Sequence, residues 1–194
     1  MRIRRFLVLC FVLTAVTPAL VCAQDTRKVG ITMAYPASFG VLWHTSSKMA
    51  IRPEIAFSGT SSETTSTVAN QSISNEADGW GIGTGVSAIF YLRTYEHLRT
   101  YVSPRFSYTY GSSTSSIAST ITGALPTSGT QTTKGIGGFG SFGAQYMLGD
   151  RFSVFGEVGF GVVHSTTDSS AVTAISASGN AWGTRAGVGV VFYP

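Results

Sequence analysis

Between Gly79 and Leu92 the chain reads Gly-Trp-Gly-Ile-Gly-Thr-Gly-Val-Ser-Ala-Ile-Phe-Tyr-Leu, and no other stretch constrains the fold as much. The even positions from Trp80 to Leu92 are apolar or neutral, while the odd ones begin with glycines at 79, 81, 83 and 85. Successive side chains of a strand point to opposite faces, so this strand has one greasy face and one nearly bare face. The run is too long and too rich in glycine for an ordinary soluble strand. It suits a strand that crosses a membrane, with lipid on one face and a crowded lumen on the other.

Residues 1–23 read as a cleaved secretory signal. Arg2, Arg4 and Arg5 supply the basic start, Phe6 to Val16 the apolar stretch, and Val21-Cys22-Ala23 a small-residue cleavage site before Gln24. The apolar part is short and Pro18 follows it, which argues against a transmembrane anchor. Residues 24–194 then form a single barrel domain. The formal charge of +4 loses three arginines with the signal, so the basic balance makes no case for nucleic acid. Cys10 and Cys22 leave as well, and a cysteine-free mature chain has no disulfide, thiolate nucleophile or Cys-ligated metal.

Only 11% of the residues are charged, against about 25% in an ordinary soluble domain. No apolar run after the signal reaches the length of a membrane helix. An exported, charge-poor chain without helical spans is left with the closed β-barrel as its way to live in a bilayer.

The turn signals divide the mature chain into eight expected strands near 27–35, 39–44, 49–58, 79–92, 99–111, 134–148, 152–164 and 180–193. The Gly137-Gly138 pair blurs the alternation of the sixth and suggests a bulge. Pro53 and Pro104 each remove a ladder hydrogen bond, which a barrel tolerates at a bulge or a non-bonded position. Connections near 45, 94 and 150 are short. Those at 60–77, 112–132 and 166–179 read as long Ser/Thr-rich loops in which only Glu63, Glu76 and Asp168 carry charge. Short turns on one side and long loops on the other are the outer-membrane pattern, with both termini on the periplasmic side. The connection at Pro36 is the exception: it faces outward yet is short. An internal repeat supports the count, because Ile51-Arg52-Pro53-Glu54-Ile55-Ala56-Phe57, Val102-Ser103-Pro104-Arg105-Phe106-Ser107-Tyr108 and Val154-Phe155-Gly156-Glu157-Val158-Gly159-Phe160 align as ascending strands.

With these strands in place the chain resembles the small bacterial outer-membrane β-barrels of the OmpA/OmpX type, sometimes grouped as porin-like barrel proteins. The likeness covers roughly 27–194. It is carried most specifically by Tyr146-Met147-Leu148-Gly149-Asp150-Arg151-Phe152-Ser153-Val154-Phe155-Gly156-Glu157, which is similar to the family's periplasmic turn and following strand. The last strand, Val188-Gly189-Val190-Val191-Phe192-Tyr193, resembles the C-terminal signal read by the barrel assembly machinery. The resemblance implies a bacterial outer-membrane location. No sequence follows the eighth strand for a peptidoglycan-binding domain, so that role does not carry over.

Arg52, Glu54, Arg105, Glu157 and Arg185 all fall on the face away from lipid. An eight-stranded barrel is just wide enough to be filled by side chains, and the glycines of the fourth strand leave room for long ones. Arg105 is expected between Glu54 and Glu157 in a luminal ion-pair network, with Arg52 and Arg185 nearby. Pairing is the ordinary remedy for buried charge, so the network fills and stiffens the lumen; as a gate it would serve a narrow ion or water path. His44, His97 and His164 invite a catalytic reading, as in membrane-embedded lipid-modifying barrels, yet no acid or serine is tied to them by motif spacing. No catalytic, cofactor or metal residue is assigned. Gly83-Thr84-Gly85-Val86-Ser87-Ala88 matches a loose nucleotide fingerprint but lies inside a strand, where the motif has no helix to open. Trp43, Trp80, Trp182, Tyr110 and Phe192 fall near strand ends on the lipid face, as interfacial girdles would. A soluble lipocalin-like barrel would turn that face inward and leave the glycine-rich face to water, which the low charge opposes.

The sequence therefore points to an all-β, eight-stranded, antiparallel up-and-down transmembrane barrel. It is expected to be non-enzymatic and structural, meeting other surfaces through its Ser/Thr-rich loops. A narrow pore is the alternative. The expected partners are outer-membrane lipids and lipopolysaccharide, the barrel assembly machinery and a surface ligand, without cofactor.

Overall fold

The computed structural model describes residues 28–36, 38–68, 71–119, 127–170 and 174–194. They form eight antiparallel strands: β1 (Val29–Tyr35), β2 (Ser38–Ser46), β3 (Met49–Val68), β4 (Gln71–Tyr95), β5 (Leu98–Ser119), β6 (Thr127–Met147), β7 (Phe152–Ser170) and β8 (Ala174–Phe192). Each pairs with its sequence neighbour, and β1 pairs with β8 to close the ring. The expected signal, 1–23, lies outside the described residues.

The period-two pattern is realised on every strand. Ile31, Val41, Ile55, Trp80, Phe106, Phe142, Phe160 and Trp182 point outward and are exposed, whereas Thr32, Leu42, Arg52, Ile89, Tyr101, Gln145, Phe155 and Val191 point inward and are buried. A soluble barrel would show the reverse. On β8 the outward band runs from Trp182 to Phe192, matching the roughly 9–11 tilted residues that span a bilayer. Aromatic rings mark both margins of the band: Trp80 beside Tyr110 and Phe160 beside Trp182 on one side, Tyr146 beside His97 on the other.

Two local expectations are corrected. The β6 register runs unbroken through Gly137 and Gly138 against both neighbours, so there is no bulge there. Gly137 and Phe139 both face the lumen, and Gly161 of β7 leaves space for the Phe139 ring. The register shifts lie instead at His44/Ser46 and Tyr91/Arg93, beside periplasmic turns, where an extra residue helps a barrel strand bend into its connection. At Pro53 and Pro104 the pairing with the preceding strand lapses and resumes in the same register, so each proline's missing donor is accommodated without a bulge.

The second correction concerns the long connections. The segments at 60–77, 112–132 and 166–179 are not loops over their described length but continue the β3–β4, β5–β6 and β7–β8 ladders as tall hairpins. Threonine favours strands, and cross-strand hydroxyl pairs support the ladders, among them Thr65–Ser74 at 3.0 Å, Thr67–Ser72 at 3.1 Å and Thr114–Thr130 at 3.5 Å. Only the first hairpin stays short, turning through a cis Tyr35–Pro36 bond.

Candidate functional site

The three repeated motifs place Arg52 and Glu54 on β3, Arg105 on β5 and Glu157 on β7, with their side chains in the lumen at about one height. Small residues of the intervening strands make the room. A Cβ on Gly40 would meet the Glu54 side chain at 3.0 Å, one on Gly85 the Arg105 guanidinium at 3.0 Å, and one on Gly189 the Phe155 ring at 2.6 Å. At this height the bulk of β3, β5 and β7 thus meets space on β2, β4 and β8.

All five sequence-predicted charges meet, but in a different order from the one expected. Arg52, not Arg105, is the bridge: its Nε lies 2.9 Å from Glu54 Oε1 and its Nη2 donates to Glu157 Oε2 at 2.9 Å. Arg105 caps Glu54 from the other side, and Arg185 Nη2 stands 3.7 Å from Glu157 Oε1. The order across the lumen is Arg105–Glu54–Arg52–Glu157–Arg185. Arg105 holds no direct pair with Glu157, because it sits on the outer side of the layer with Glu54 in between. The Arg52 guanidinium also lies 4.8 Å over the Phe155 ring, and the Tyr101 hydroxyl donates to Glu157 at 3.4 Å. Both carboxylates and Arg52 are buried, which makes their mutual pairing a condition of stability.

Below this layer the lumen is packed. Leu42, Ala50, Ile89, Tyr91, Tyr101, Phe155, Val191 and Tyr193 form a buried cluster down to the periplasmic end. A polar network not foreseen from the sequence runs through it. Gln145 accepts from the Tyr91 hydroxyl at 3.0 Å and donates to Ser153 at 2.7 Å and Tyr193 at 3.0 Å. His44 reaches Tyr193 at 3.2 Å and stacks on Tyr91. The signal available was parity alone, since Tyr91, Gln145 and Tyr193 share the inward phase of their strands. Above the layer lies an outward-opening vestibule of about 610 Å³ with hydroxyl-rich walls, and Arg105 and Arg185 border its floor.

The three histidines lie apart. His44 belongs to the inner floor, His97 to the β4–β5 turn against Tyr146, and His164 to the outer part of β7, where it bonds Asn180 at 2.8 Å. Among the described residues no cluster of histidine, cysteine, aspartate or glutamate has metal-holding geometry.

A closed ring with an apolar, aromatic-edged outer surface and a filled lumen has the architecture of a small transmembrane β-barrel of the outer-membrane type. In structure the protein is similar to CarO of Acinetobacter baumannii, at 13% identity over 86% of this chain and 96% of that one, with a TM-score of 0.44. It is also similar to a major outer membrane protein of Thermus thermophilus, at 10% identity over 84% and 98% of the two chains, with a TM-score of 0.46. The ferric citrate transporter FecA gives 12% identity and a TM-score of 0.48, with 84% of this chain covering 25% of that one. At these values nothing about cargo or activity passes from those proteins to this one. No family model matches the sequence, and no curated protein matches it.

Proposed function

We propose that this barrel is a non-enzymatic structural and surface-interaction protein, which presents three tall hydroxyl-rich hairpins to the exterior and passes no solute through its lumen. The observation that carries this reading is the packing from the Arg52 layer to Tyr193, in which Leu42, Ala50, Ile89, Tyr101 and Val191 are almost fully buried and the polar side chains among them, Tyr91, Gln145, Ser153 and Tyr193, are hydrogen-bonded to one another. The hairpins suit adaptable hydrogen bonding to lipopolysaccharide or to another surface. The C-terminal strand, with Val188, Val190 and Phe192 outward, supplies the surface that the assembly machinery would read.

Single-channel recording in a planar bilayer tests the reading. The wild-type protein is expected to give no steady conductance, and Arg105→Ala none either. A steady wild-type conductance that Arg105→Ala changes would replace this reading with that of a gated narrow pore.

A further inference from the structure

The short first hairpin leaves the barrel wall incomplete in its outer half. β1 pairs with β8 only as far as Tyr35–Val188, and β2 with β3 only as far as Phe39–Ile55. Beyond those points β3 continues to Val68 and β8 extends back to Ala174, and each has a strand partner on one side only among the described residues. Residues 182–187 of the β8 apolar band border this gap, roughly 20 Å of strand at ~3.4 Å per residue. The ring is therefore eight-stranded in its periplasmic half and a six-stranded open sheet, β3 to β8, above.

An unpaired edge facing lipid leaves backbone groups without partners; it is tolerated where it lines a wet cavity. That is the arrangement here. Pro36 and Phe57 at the notch line the same cavity as Arg105 and Arg185, so the notch leads sideways from the outer leaflet into the vestibule. The lips are greasy and unusually bare: Tyr35 at the base is 76% exposed, Phe57 on β3 60% and Trp182 on β8 78%. The far wall is cationic. The luminal layer has three guanidiniums, Arg52, Arg105 and Arg185, against two carboxylates, Glu54 and Glu157, a formal excess of one positive charge. The excess lies on the vestibule side, because Arg52 is enclosed by both glutamates while Arg105 and Arg185 each hold one. No carboxylate is among the residues that line the cavity. Its volume falls within the ~300–1,000 Å³ of small-molecule sites.

From this combination of lateral notch, aromatic lips and uncompensated cation, we propose that the vestibule binds a single-chain anionic amphiphile. Its carboxylate or phosphate head would lie against Arg105 and Arg185, and its acyl chain would lead out past Phe57 and Trp182 into the outer leaflet. Head and chain must both be present, because the cations sit inside the wall and the greasy surface outside it. Such a site needs no continuous pore and stands independently of the surface role proposed above.

The test uses the protein purified from membranes and reconstituted in phosphatidylcholine nanodiscs, with nitroxide-labelled stearic acid and its methyl ester as probes. Electron paramagnetic resonance reads the motionally restricted fraction. The acid is expected to associate at least tenfold more tightly than the ester. Arg105→Gln/Arg185→Gln should reduce the acid to the level of the ester. Gly83→Leu leaves the charges in place but fills the vestibule from β4, where a Cβ would have only ordinary contacts at 3.5 and 3.7 Å, and should abolish the same preference. Equal association of acid and ester with the wild type overturns the proposal, as does an acid preference that survives in Gly83→Leu. Displacement of the acid by millimolar inorganic phosphate also overturns it, since the site would then take a free anion through its outer mouth. A cross-linked dimer that seals the notch edge to edge overturns it too. Conductance is not part of this readout, so the lipid site and the non-conducting reading can fail separately.

Discussion

Replacing one charge at a time in the luminal layer should produce costs ordered by pairing, not by residue type. Glu54 pairs with Arg52 at 2.9 Å and with Arg105, and its side chain is buried. One such pair represents about 6 kcal/mol of gross attraction at 2.9 Å and an effective dielectric constant near 20, most of which offsets desolvation. Glu54→Gln keeps the volume but strips Arg105 of its carboxylate, leaves Arg52 with Glu157 alone and raises the layer from one excess positive charge to two. The expected cost is about 3–5 kcal/mol, the range for breaking a buried pair. Arg185 stands 3.7 Å from Glu157 and is more open to water. Arg185→Gln removes the excess charge, and its cost should stay within about 1 kcal/mol, as for weakly buried pairs. Urea unfolding in phospholipid micelles, followed by the fluorescence of Trp43, Trp80 and Trp182, measures both. At m-values of about 1–3 kcal/mol/M the two midpoints should differ by about 0.7 M or more. Equal costs, or a larger cost for Arg185→Gln, would refute the reasoning that pairing and net charge govern this layer.

Two further outcomes follow from the same geometry. Gly143→Ala places a methyl group inside the space of the Tyr101 ring and should cost about 1–3 kcal/mol in that unfolding assay, whereas Gly138→Ala and Gly156→Ala, with nothing within 4 Å, should be nearly neutral. Val158→Arg, at the middle of the outward band of β7, should cost about 2–4 kcal/mol in a bilayer, while Ser176→Arg on the tall β7–β8 hairpin should fold as the wild type does; heat-modifiable gel mobility of the membrane fraction checks both.

The strands were legible where lipid enforces the alternation. From Trp80 to Phe90, or from Val154 to Val162, the outward residues must be apolar and the inward ones must fit the lumen, so parity alone gives the face and the inward charges. Beyond the membrane that constraint disappears. The outward residues of 60–68 or 112–119 need not be apolar, the amplitude of the pattern falls to nothing, and a hydroxyl-rich ladder reads as a loop although its backbone pairing is unbroken. The order of the charges was illegible for a different reason. Parity puts Arg52, Glu54, Arg105 and Glu157 in the lumen, but which cation lies between the glutamates depends on the stagger between strands three and seven places along the ring. Nothing in the sequence of one strand reports that stagger. The shortness of the Pro36 connection was plain, whereas its consequence required knowing how far β3 and β8 extend past it.

That consequence explains why the charged layer sits where it does. Gly40 of the first hairpin pairs with Glu54, and a Cβ on Gly187 would lie 3.5 Å both from the Tyr35 carbonyl and from the Glu157 side chain. The layer thus crosses the lumen at the height where the first hairpin ends and the wall loses two strands. Among the described residues β3 and β8 have no strand between them above that height, and no ladder hydrogen bond there resists their spreading. The ion-pair chain supplies a connection of another kind: Glu54 and Arg52 on β3 reach Glu157 on β7, which holds Arg185 on β8. The two margins of the notch are therefore joined through the lumen by charged side chains where the backbone does not join them. A packed hydrocarbon plug would fill the same volume, but non-directional contacts would tie no particular strand to another. Directional pairs between β3 and the β7–β8 hairpin hold an open sheet at a fixed width, and they leave Arg105 and Arg185 facing the opening that this width creates.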